Sequence, residues 1–61
     1  MNDEVYLHRQ WIILVMQSLF NGKWQYEATH KTFTGKVIVK KDFHSEEAAI
    51  IDAKNEIDKR S

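Results

Sequence analysis

The chain has 61 residues, with nine Lys and Arg balancing nine Asp and Glu, 43% hydrophobic and 30% charged side chains, and neither cysteine nor proline. That composition is ordinary for a soluble globular chain and argues against disorder, while the absence of cysteine excludes disulfide staples and most structural metal sites. A chain this short lies near the limit at which one hydrophobic core offsets the entropy of ordering it, so self-association is the remaining source of extra burial. No low-complexity tract, repeat or linker divides it, and residues 1–61 read as one domain.

In chain order, the segment "DEVYLHRQ" at 3–10 precedes the first predicted element and is assigned to none. The first strand spans about 10–20 and opens on an unbroken apolar run, Trp11 to Met16. Asn21-Gly22 follows, the pair that suits a two-residue type I′ turn because both central positions need positive φ. A second strand at 24–32 leads to Thr34-Gly35, a weaker version of the same turn signal that also admits a longer loop, and a third strand covers 36–41. All three are rich in Trp, Tyr, Ile, Val or Thr. Phe43 stands before Ser45, a helix N-cap with Glu46 and Glu47 at the positive end of the dipole and Lys59 and Arg60 at the negative end. Across the helix at 45–60, Ala49, Ile50, Ala53 and Ile57 share an arc of about 100°, a stripe for packing on a sheet, and Ile51 lies opposite. The predicted fold is α+β, a three-stranded antiparallel meander followed by one C-terminal helix.

Two-residue loops at both turns set Val15 opposite Ala28, Ile13 opposite His30 and Val39 opposite His30. One face then collects Trp11, Ile13, Val15, Leu19, Trp24, Tyr26, Ala28, Val37 and Val39, and the helix covers it, with Phe43 closing its end. The other face carries Ile12, Leu14, Met16 and Phe20 from the first strand. From the second and third strands it carries Lys23, Gln25, Glu27, Thr29, Lys31, Lys36 and Lys40. An antiparallel sheet with one wet face should alternate apolar and polar along each strand, and the first strand does not. As the edge of a three-stranded meander it offers an association surface, so Ile12, Leu14, Met16 and Phe20 are the expected homodimer interface. The alternatives are that residues 3–10 fold back over this face, or that a bulge changes the register.

Catalytic signals are lacking. No phosphate-binding Gly-rich loop, G-x-S-x-G, H-E-x-x-H or C-x-x-C motif occurs. His8, His30 and His44 lack ligand spacing, and a site built from His30, His44 and Asp42 is the one acid-base or metal arrangement worth considering. The expectation is a non-enzymatic protein with no catalytic residue, cofactor, metal or small-molecule substrate. Residues 8–44 carry six Lys and Arg against two acidic residues, whereas the helix and tail carry three against five. A basic sheet face backed by an acidic helix could serve phosphate contacts.

The stretch from Lys23 to Lys59 combines a strand opening with Trp, a turn ending in Gly-Lys, a basic strand, Phe before a Ser cap and a helix beginning with Glu. In this layout it resembles small phage and bacterial three-strand-plus-helix modules, the amino-terminal arm-binding and AP2-like domains of phage integrases, and HicB-like antitoxin domains share much of the pattern. The integrase families lay the outer sheet face into the DNA major groove. The resemblance therefore implies nucleic-acid contacts by Lys23, Gln25, Thr29, Lys31, Lys36 and Lys40. The chain departs from those modules at Glu27, at Glu46-Glu47 and in the apolar outer side of its first strand. The apolar run is too short for a transmembrane helix, which needs roughly 20 residues, and no basic region precedes it; the expected location is the cytoplasm, away from membranes.

Overall fold

A computed structural model of the protein describes residues 4–60. It consists of β1 (Glu4–His8), β2 (Trp11–Gln17), β3 (Trp24–His30), β4 (Val37–Phe43) and α1 (Glu46–Arg60). The strands form one antiparallel sheet in the order β1-β2-β3-β4. The α+β architecture and the terminal helix agree with the sequence reading, but the sheet has four strands, not three. Residues 4–8, assigned to no element above, pair with β2 from Glu4 opposite Val15 to His8 opposite Trp11. The long apolar strand is therefore interior, hydrogen-bonded on both sides, and the edges are β1 and β4.

The β1–β2 turn contains no glycine, which is why it gave no signal. Arg9 and Gln10 both take positive φ, 50° and 69°, as the two central residues of a type I′ hairpin must. Such a conformation costs roughly 1–2 kcal/mol per non-glycine residue. Tertiary contacts hold it: Lys31 N donates to Gln10 O at 2.8 Å, Arg9 Nε meets Asp58 at 2.7 Å, and His8 Nε2 lies 2.9 Å from the same carboxylate.

Both later connections are longer than two residues. Between β2 and β3 the chain turns over residues 18–23, with Gly22 at φ 73° and the loop closed by Ser18 N donating to Lys23 O. Val15 faces Tyr26 and Ile13 faces Ala28, a shift of two residues from the predicted pairing. An even shift keeps every paired side chain on its predicted face; Leu19 and Phe20, expected at the end of the first strand, leave it and are fully exposed. Between β3 and β4 residues 31–36 form the loop, and Val37 pairs with Thr29, not Thr32. That shift is odd, so it inverts the strand. Ile38 enters the core, whereas Val37 and Val39, expected inside, are exposed.

The core is Trp11, Ile13, Val15, Tyr26, Ala28 and Ile38 from the sheet against Ala49, Ala53 and Ile57 from α1, with Tyr6, Trp24, Phe43 and Ile50 packed around it. A bulge in β4 opposite Trp24/Tyr26, where Asp42 takes φ 72°, turns Phe43 inward to stack on Tyr26 at 5.7 Å between centroids. Ser45 caps the helix as expected, its Oγ accepting from Ala48 N at 3.1 Å. Ile51 is exposed, on the side of α1 away from the sheet.

Candidate functional site

With α1 on the inner face, the outer face carries the alternate residues of all four strands. Two rows cross it. In the first, Leu7 pairs with Ile12, Ile12 with Thr29 and Thr29 with Val37; in the second, Val5 pairs with Leu14, Leu14 with Glu27 and Glu27 with Val39. Five of the six aliphatic residues in these rows are open to solvent: Val5 65%, Leu7 66%, Ile12 39%, Val37 49% and Val39 64%. Leu14 and Met16 are half-buried. The apolar surface expected on one strand thus spans β1, β2 and β4, and β3 supplies its polar residues. Two adjoining hollows, of about 320 and 260 Å³, lie among Val5, Leu7, Ile12, Leu14, Glu27, Thr29 and Lys31.

Residues 4–8 do not fold back over this surface; they extend it. Ile12, Leu14 and Met16 lie together as expected. Phe20 does not join them on a strand. It sits fully exposed in the 18–23 loop, at a hollow shared with Lys23, Gln25 and Lys41.

The lysines divide between the faces, contrary to the sequence expectation. The inversion of β4 puts Lys40 on the helix side, where its Nζ lies 3.0 Å from Glu56 and 3.6 Å from Asp52. Lys36 shares that parity, lies over the Phe33 ring at 5.0 Å and lines a hollow with Trp11 and Arg60. Gln25, Thr29 and Lys31 remain on the outer strand positions of β3 and its extension, and Lys41, which the sequence reading did not select, joins Lys23 and Gln25. Two signals in the sequence pointed to the four-strand face: the alternation of Val5 and Leu7 with polar neighbours, and Val37 with Val39.

The inner electrostatics are structural. Glu56 accepts from Arg60 Nη1 at 2.9 Å and from Lys40 at 3.0 Å, and these two hydrogen bonds hold its carboxyl down to about 2. Tyr26 donates to Asp52 at 2.7 Å, and burial together with that bond pushes the phenol well up. The hydrogen bond from His8, with Arg9 alongside, lowers Asp58. Apart from the Glu56–Arg60 pair within α1, each contact ties a strand or turn to the helix.

The His30, His44 and Asp42 arrangement is not assembled. His30 packs edge-on to Trp11, and its Nδ1 accepts from Thr32 N and Phe33 N. Asp42 and His44 lie at the other end of the β3–β4 ladder, beside the Trp24–Phe43 pair. Among the described residues no cluster of His, Asp or Glu is arranged to hold a metal ion, and no helix is long and apolar enough to cross a membrane. In comparisons with known proteins, no family model, no curated protein and no solved structure matches this chain.

Proposed function

We propose that this chain is a small non-enzymatic binding module, of the phage or bacterial regulatory kind, that dimerises through its outer sheet face. The observation that carries the reading is the apolar surface on the side of the sheet opposite α1, formed by Val5, Leu7, Ile12 and Leu14 on β1 and β2 and by Val37 and Val39 on β4, with the Thr29 and Glu27 column of β3 between the two groups. At roughly 160 Å² for a fully open aliphatic residue, the five most exposed of these present on the order of 450 Å², within the range of the largest patch on a typical monomer. Two copies would remove on the order of 900 Å² from these side chains alone. Leu14, Met16 and the polar β3 residues within the rows would carry the total past the roughly 1,000 Å² that marks a specific interface.

Size supports the same reading, because 61 residues bury a small core and association adds to it. Light scattering should return twice the 7.3 kDa chain mass for the wild type and the chain mass for Leu14→Lys. A monomeric wild type at tens of micromolar would remove the proposal.

A second reading, nucleic-acid binding, draws on the loop end of the sheet. There Lys23, Gln25 and Lys41 gather around the open Phe20 ring, a combination of cations and an aromatic platform. It is weakened by Lys40, which is taken up by Glu56, and by Glu27 at the centre of the face. Labelled duplex and single strand titrated at low and moderate salt should show salt-dependent binding that Lys23→Glu with Lys41→Glu abolishes. No binding at low salt would end this reading.

A further inference from the structure

Resting on the dimer reading, we infer that the second copy docks about a two-fold axis that crosses the strands between the two rows, so that Glu27 of each subunit accepts a hydrogen bond from the partner's Thr29. Sheets that pack face to face lie about 10 Å apart with their strands within about 30° of one another. A closed homodimer needs a surface that is complementary to itself under a two-fold rotation. One orientation places all six aliphatic residues of the two rows on one another.

With the axis across the strands, each strand lies over its own copy running the other way, and the first row covers the second. Leu7 then meets the partner's Val5, Ile12 the partner's Leu14 and Val37 the partner's Val39. In the remaining column Thr29 meets the partner's Glu27, and the symmetry makes the contact twice. Every aliphatic residue is placed on another, and the single charged residue within the rows faces a hydroxyl donor.

The competing axis, along the strands between β2 and β3, leaves each row on itself. It lays β2 on the partner's β3, so Leu14 covers the partner's Glu27 and Ile12 its Thr29. Two carboxylates would then be taken from water against hydrocarbon, and burial without a partner is what a charged group resists most. Laying β3 on the partner's β3 along the strands is worse, since Glu27 would face Glu27. Within its own chain Glu27 has no ion pair or side-chain hydrogen bond with any other described residue, so its carboxylate is free for an intermolecular donor. Its exposure and its place between Leu14 and Val39 put it in the middle of the apolar rows. In this arrangement Glu27 fixes the register of association; uniform hydrophobic contact could not.

Cross-linking reads the axis directly, because the chain contains no cysteine of its own. Mixed I12C and L14C chains, one of them carrying a mass tag, should oxidise to the mixed disulfide dimer, with much less of either homodimer. Mixed I12C and T29C chains should not couple. Thr29→Val should raise the dimer dissociation constant tenfold or more, since it strips the donor from two symmetric sites, and Thr29→Ser should restore it. Glu27→Leu in the Thr29→Val background should also restore it, because removing both partners leaves nothing unpaired. Coupling of I12C to T29C, in a wild type that light scattering shows to be dimeric, overturns this axis and leaves the dimer standing. A monomeric wild type overturns both. Circular dichroism of each variant confirms that the subunit itself is folded.

Discussion

Ile13 and Leu14 are neighbours on β2 that point to opposite faces, and truncating each to alanine separates the two roles of that strand. Ile13 is wholly buried in the core, whereas Leu14 is half-buried on the outer face. Removing a buried Ile side chain costs about 2–5 kcal/mol, the transfer of the lost carbons plus the cavity left behind. A domain of this length holds roughly 3–9 kcal/mol in total, at about 0.05–0.15 kcal/mol per residue. Ile13→Ala should therefore remove a large share of the stability, and the variant should unfold at a much lower urea concentration at any protein concentration. Leu14→Ala has hydrocarbon contact on one side only, so its effect on the isolated subunit should be about 1 kcal/mol or less. Its main effect should appear in association. The assay is urea unfolding over a hundredfold range of protein concentration, paired with sedimentation equilibrium. For a dimer the midpoint rises with concentration; Leu14→Ala should flatten that dependence, and Ile13→Ala should lower the midpoint throughout. Equal loss in both variants at the lowest concentration would refute the reasoning, because it would place Leu14 in the core of its own subunit.

Two further outcomes follow from the helix side. Glu56 has a folded value of about 2 against an ordinary 4.5, so the folded state resists protonation and the unfolded state accepts it. Its contribution is complete above pH 4.5 and is lost as pH falls toward 2. Thermal midpoints measured across that window should fall for the wild type and fall less steeply for Glu56→Gln; identical slopes would rule out the Arg60 and Lys40 bonds as the cause. Ser45→Ala removes the side-chain acceptor of Ala48 N and should cost about 1 kcal/mol in urea unfolding, with Ser45→Asp close to wild type.

The helix was legible residue by residue, because its signals are local: Ser45 caps it, the charges match the dipole, and the Ala49, Ala53 and Ile57 stripe needs only a period of 3.6. The inner face of β2 was legible for a related reason. A strand's period is two, so Trp11, Ile13 and Val15 stay together however the register moves by even steps. Ile12, Leu14 and Met16 were likewise readable as a second apolar face.

Loop length was not readable, and it decided the rest. Thr34-Gly35 looks like a two-residue turn, but the chain uses residues 31–36. There His30 Nδ1 accepts from two backbone amides and Lys36 N donates to Phe33 O. The resulting odd shift exchanged Ile38 for Val37 and Val39, moved Lys40 onto Glu56 and made the outer face more apolar and less basic than expected. The fourth strand was hidden because its turn has no glycine. Arg9 and Gln10 hold positive φ, and Asp58, thirteen residues after the Ser45 cap, closes on His8 and Arg9 only once α1 has docked. Sequence periodicity therefore fixed which residues share a face within each element. Which faces of different elements meet was decided by loop closure and by ion pairs between residues some fifty positions apart, contacts that exist only once the chain has folded.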